Sequence, residues 1–118
     1  MVKFTVMNKN NNAILASDAV VADTFYTRLR GLIGTPCLLN GQGLLIRPCN
    51  SIHTVGMRYS IDVLFLSSDL RIIKMVSALK PLRLRVCIGS VAVLELPAGT
   101  IKETFTEEGH VLVVLPSA

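Results

Sequence analysis

The ten residues Cys49-Asn50-Ser51-Ile52-His53-Thr54-Val55-Gly56-Met57-Arg58 gather more reactive side chains than any other stretch of this chain. His53 and Thr54 set a titratable imidazole beside a hydroxyl, Gly56 lets backbone approach closely, and Arg58 can clamp an anion. Two acids stand in apolar, strand-like runs. Asp62 shares a face with Leu64 and Leu66 by the period of two, and Glu95 shares one with Val91 and Val93. A carboxylate in either place costs several kcal/mol unless it is hydrogen bonded or paired. One reading makes each a structural acid, tied to an Arg or to backbone N–H groups at a strand end. The other sets at least one in a cleft beside His53, where burial shifts a carboxyl towards proton transfer near neutral pH. In that arrangement His53 is the general base or acid, Asp62 or Glu95 orients it, and Thr54 or Cys49 is the nucleophile.

Cys49, His53 and Met57 recur at intervals of four and offer a thiolate, an imidazole and a thioether, a set suited to a soft metal ion. That spacing aligns them only on a helix, and Gly56 with the β-branched Ile52, Thr54 and Val55 argues against one, so no metal is expected. Neither Cys-x-x-Cys nor His-x-x-x-His occurs, which removes the usual zinc signatures. Gly31-Leu32-Ile33-Gly34 spells a GxxG loop but has apolar middle residues at a helix end. With no P-loop, GxGxxG or Gly-x-Ser-x-Gly elbow, no cofactor is expected.

These residues need a scaffold, and the pattern around them is that of short strands. Residues 2–7, the polar turn Asn8–Asn12 and the run near 13–16 read as an N-terminal hairpin. Asp23 can cap a helix over about residues 23–33, with Phe25, Leu29, Leu32 and Ile33 at helical spacing and Gly34 and Pro36 as the stop. Gly31 inside that helix suggests a close neighbour that leaves no room for a side chain. Strands follow at 44–46, 61–66 and 71–76. Gly89-Ser90 spells a tight hairpin between 84–88 and 91–96, and a last strand is expected over 111–115. The almost wholly apolar 61–66 should be covered on both faces. Seven to nine strands with one short helix predict a mostly β fold, a compact sandwich or barrel-like domain over residues 1–118.

Composition narrows the setting. A hydrophobic fraction of 51% against 17% charged residues suits a folded core and excludes a disordered tail. Three widely spaced cysteines, Cys37, Cys49 and Cys87, make no disulfide framework and suggest free thiols. No apolar run is long enough to span a membrane and no leader opens the chain, so the expected location is cytoplasmic. The net charge of +4 is spread out, densest from Lys74 to Arg85, and aromatics are only 5% with no Trp. Nucleic-acid binders pair basic patches with stacking aromatics, so nucleic acid is not an expected partner.

Three blocks taken in order resemble the family called domain of unknown function 192. They are Ala22-Asp23-Thr24-Phe25-Tyr26-Thr27-Arg28-Leu29-Arg30-Gly31-Leu32, Ser51 to Leu66, and Leu94-Glu95-Leu96-Pro97-Ala98-Gly99. The resemblance implies a compact β-sandwich-like domain of bacteria and archaea, often encoded alone and sometimes behind a signal peptide, and it brings no activity. The positions it carries over are Arg28, Arg30, Gly31, His53, Thr54, Met57, Asp62, Glu95, Pro97 and Gly99, and family members commonly have a cysteine at the position of Cys49. This chain departs from the pattern at Leu82, where an aromatic is usual, and at Gly109-His110, where Gly-Asp is usual.

The expected function is that of a binding module rather than an enzyme. Arg28, Arg30, Cys49, His53, Thr54, Met57 and Arg58 would hold a small anionic ligand or a protein partner. The alternatives are a small enzyme that uses His53 with Asp62 or Glu95, and a purely structural or interaction protein.

Overall fold

The computed structural model describes residues 2–117. In chain order the elements are β1 Phe4–Asn8, β2 Ile14–Ala22, α1 Phe25–Arg30, β3 Gln42–Ile46, β4 Ser51–His53, β5 Ile61–Leu66, β6 Ile72–Leu79, β7 Leu84–Val86, β8 Ala92–Pro97, α2 Thr100–Glu103 and β9 Leu112–Pro116. Seven strands form one sheet in the order β6-β5-β8-β3-β2-β1-β9, and β4 and β7 form a separate two-stranded ribbon. Every pairing in the large sheet is antiparallel except β2 with β3, and the connection between that parallel pair carries α1. The sheet curls until its edge strands approach each other. Arg71 at the start of β6 bridges Val111 before β9, and Ile72 N donates to His110 O at 2.9 Å. The result is a mostly β half-barrel with two short helices.

The apolar run of β5 is buried at every position, and so is β8 beside it, because both sheet faces are covered. Alternate residues therefore enter different cores. Leu64, Leu66, Leu94 and Leu96 point into the curl with Val6, Leu45 and Ile101. Val63, Phe65 and Val93 point outward and are covered by Leu32, by Ile52 of the ribbon and by Met57. The outer layer, which consists of α1, the loops around it and the ribbon, positions the residues singled out above.

Four local expectations are corrected. The helix spans Phe25–Arg30 rather than 23–33, and its cap is Thr24, not Asp23. The Thr24 hydroxyl accepts from Thr27 N at 3.1 Å while Thr27 Oγ1 accepts from Thr24 N, closing a capping box. Leu32 continues the apolar spacing from a turn beyond the helix, where it is buried without being helical. Gly31 is required by its backbone, with φ of 50° at the C-cap, and not by crowding: a Cβ there would meet only Glu95 Oε1, at 3.9 Å. Gly89-Ser90 does not close a hairpin. β7 pairs with β4, and Ser90 is buried with its hydroxyl donating to Ala92 O at 2.8 Å. Finally, α2 is a second helix beyond the one expected. No described helix is long and apolar enough to cross a membrane.

Candidate functional site

The two buried acids lie on opposite faces of the sheet and differ in their surroundings. Asp62 is fully buried on the inner face, and each carboxyl oxygen accepts a backbone hydrogen bond, from Ala78 N at 2.8 Å and from Ile101 N at 2.8 Å. Both donors need it. Four residues of β6, Val76 to Leu79, stand opposite three of β5, Ile61 to Val63, a bulge in which Ala78 adopts φ of 49° and its N–H leaves the ladder. Ile101 N lies in the first turn of α2, whose N-cap Gly99 has no side chain to offer. Asp62 thus matches the structural reading of a buried acid and stands across the sheet from His53.

Glu95 lies on the outer face, beside Val63 and Leu44 in the register of the central strands, and is 3% exposed. Its carboxyl takes no hydrogen bond from the described residues and makes no ion pair with any of them. Burial alone raises its pKa from 4.5 to about 7. A carboxyl left this way keeps its place only at a cost in stability.

Glu95 forms part of the lining of a cavity of about 70 Å³, together with Arg28, Gly31, Cys49, His53 and Met57. That is space for a carboxylate or phosphate group, or about two waters. From it two shallower clefts of about 280 and 310 Å³ run outward, both lined by Arg28, Pro48, Cys49 and Asn50, so one groove leads past Arg28 and Cys49 down to Glu95. The groove wall is built from bonds within its own segment. Arg28 Nη1 donates to Pro48 O at 3.2 Å, Cys49 Sγ donates to Ser51 O at 3.0 Å, and Cys49 N donates to Val91 O at 3.0 Å. Arg28 Nε is buried with no hydrogen-bond partner among the described residues.

Electrostatics follow from that packing. Burial pushes the Cys49 thiol up, hydrogen bonding to the Ser51 backbone draws it down, and the Glu95 charge raises it further against a smaller opposing pull from Arg28. The group is a thiol at neutral pH, which weakens it as a nucleophile. Tyr59, which the sequence did not mark, has a buried hydroxyl without a partner and is shifted up by burial and by the charge of Glu95. No spacing signal distinguishes it from an ordinary core aromatic.

The other residues singled out from the sequence divide cleanly. Cys49, His53 and Met57 reach the same cavity, although a strand and a turn bring them there rather than a helix. His53 is exposed on the ribbon's outer face and makes no hydrogen bond to Glu95 among the described residues. Arg30 lines this cavity and also a larger one of about 260 Å³ on the other side of α1. Arg58 is exposed and lines neither. His110 holds the turn before β9, accepting from Glu107 N at 3.2 Å.

Thr54 is fully buried outside the cavity. Its hydroxyl donates to Lys80 O at 2.7 Å and accepts from Arg83 N at 2.9 Å, tying the end of β4 to the loop that enters β7. Thr54→Val keeps the shape but leaves both partners open. It is expected to cost about 1–3 kcal/mol in denaturant unfolding without altering any ligand's contact with the cavity.

A family model described as "Uncharacterized ACR", the domain of unknown function 192, matches residues 6–114. A UPF0127 protein of Thermococcus sibiricus is 34% identical over 110 residues, covering 88% of this chain and 70% of its own. Two solved structures share the fold. One, from Novosphingobium aromaticivorans, is described as a protein of unknown function and has a TM-score of 0.80 at 18% identity, covering 94% of this chain and 83% of its own. The other, from Sinorhizobium meliloti, is described as "a putative transcription regulator" and has a TM-score of 0.82 at 19% identity, covering 96% and 92%.

Proposed function

This chain belongs to the family described as Uncharacterized ACR, the domain of unknown function 192, and from that premise we propose that it is a binding domain whose groove takes the anionic group of a small ligand. The observation that carries this reading is Glu95, a buried carboxyl with no internal partner on a cavity reached by Arg28, Arg30 and His53. A bare carboxylate would invite a cation. Glu95 is the only acid among the described residues lining the cavity, however, and Arg28 and Arg30 belong to the same lining. With a pKa of about 7, Glu95 meets an anion as the protonated acid and donates a hydrogen bond, while the open Nε–H of Arg28 supplies a second donor and the balancing charge. The adjoining clefts take the rest of the ligand.

Thermal-shift and calorimetric titrations with small mono- and dicarboxylates and inorganic phosphate test this. At about pH 6 at least one is expected to bind, and Arg28→Met, which keeps the apolar stem, is expected to weaken it about tenfold or more. If no anion binds, or if Arg28→Met leaves the affinity unchanged, the reading fails.

Proton transfer is the second reading, favoured by the same value near 7. The raised thiol of Cys49 and the absence of a hydrogen bond from His53 to Glu95 among the described residues weigh against a nucleophile–base pair and leave Glu95 alone as acid or base. Under that reading Glu95→Gln binds the ligand and fails to turn it over.

A further inference from the structure

The β7 side of the β4–β7 ribbon carries a surface that the groove does not use, although Ser51 and His53 on the β4 side line the cavity. From Lys80 to Ile88 basic and apolar side chains intermingle: Lys80, Leu82, Arg83, Leu84, Arg85, Val86, Ile88. The register sets His53 opposite Leu84 and Ser51 opposite Val86, which turns these four to one face, while Ile52 faces the core. Neither ribbon strand joins the large sheet, and on the β7 side of that outer face Leu84 and Val86 are exposed. Leu82, Leu84 and Ile88 are 71%, 63% and 92% exposed. Leu82 sits at φ of 62°, a conformation that suits glycine or asparagine, so the turn carries a large apolar side chain at its tip against the local preference. No Asp or Glu occurs from residue 70 to residue 94. Among the described residues the Arg83 and Arg85 guanidinium groups donate to carbonyls of their own segment, Leu82 O at 3.4 Å and Leu84 O at 2.8 Å among them, and neither makes an ion pair.

We infer that this ribbon docks on an anionic lipid bilayer surface, with Leu82, Leu84 and Ile88 entering the interface and Lys80 and Arg83 meeting the headgroups. Aliphatic side chains exposed at alternate positions supply insertion, and the exposed Lys80 and Arg83 at the ribbon's tip supply attraction to negative lipid, whereas Arg85 lies on the side of Ile52. The face is poor in the stacking aromatics that single-stranded nucleic acid uses, which separates it from a nucleic-acid patch. It is independent of Glu95, so it stands or falls apart from the ligand reading.

Flotation of the purified protein with vesicles tests it, comparing phosphatidylcholine alone with the same lipid containing about 30% phosphatidylglycerol. The protein is expected to float with the anionic vesicles at low salt and to be released at high salt and from the neutral ones. The double substitutions L84S/I88S and K80E/R83E are each expected to lower the bound fraction about tenfold with the melting temperature unchanged, and Glu95→Gln to leave it as in the wild type. Absence from the anionic vesicles at low salt overturns the inference, as does equal binding to neutral vesicles. So does a bound fraction that survives L84S/I88S. Self-association in light scattering that those substitutions abolish, without vesicle binding, reassigns the face to a second copy of the chain.

Discussion

Glu95→Gln should stabilise this protein by about 3 kcal/mol at about pH 8 and by almost nothing at about pH 4, measured as the difference between paired urea unfolding curves. The sign comes from the proton. The folded state holds the Glu95 proton more tightly than the unfolded chain does, because burial lifts its pKa from 4.5 to about 7. The group's contribution is therefore complete below pH 4.5, declines as the pH rises from 4.5 towards about 7, and is flat beyond. Gln mimics the protonated acid and cannot ionise, so it removes that loss. Because other groups also titrate, the difference between the two proteins isolates Glu95. For a domain of this size the change at alkaline pH corresponds to a melting temperature higher by about 10 °C. A side chain whose replacement strengthens the fold has a reason to be there other than folding, which is why this stability measurement bears on function.

Asp62→Ala should do the opposite, costing about 3–5 kcal/mol. Removing its carboxyl strands two N–H groups at once, Ala78 in the bulge of β6 and Ile101 at the start of α2, each now held at 2.8 Å. Asp62→Asn, which keeps one acceptor oxygen, should recover about half of that loss. Ligand affinity should not follow either substitution in the protein that remains folded, because Asp62 lies across the sheet from the groove. If Asp62→Ala left stability unchanged, the assignment of Asp62 as the support of the bulge and of α2 would be wrong.

The contrast between these two acids marks what the sequence could reveal. The period of two assigns Asp62 and Glu95 each to a face of its strand, and an apolar run such as 61–66 announces a strand covered on both sides, as β5 is. Local chemistry also suffices for the hairpin of β1 and β2. Beyond that, the deciding facts lie in pairings between distant segments. Gly89-Ser90 has the composition of a tight turn, but β7 finds its partner in Ser51–His53, and Ser90 goes to a buried corner instead. That ribbon carries His53 to the cavity and Thr54 away from it. Whether a buried acid meets two N–H groups or none depends on a bulge and a four-residue helix too short to leave a periodic trace. Cys49, His53 and Met57 show the same limit: their spacing suggested a helical face, and a strand with a turn brings them to one cavity.

The most direct test of the account is the titration of the Glu95 side-chain carboxyl by carbon-13 NMR, in the free protein and with saturating small carboxylate. The account predicts a midpoint of about 7 that moves upward when the carboxylate binds, since an anion beside Arg28 favours the protonated acid. A midpoint near the ordinary value of 4.5, or one that no bound anion moves, would contradict it.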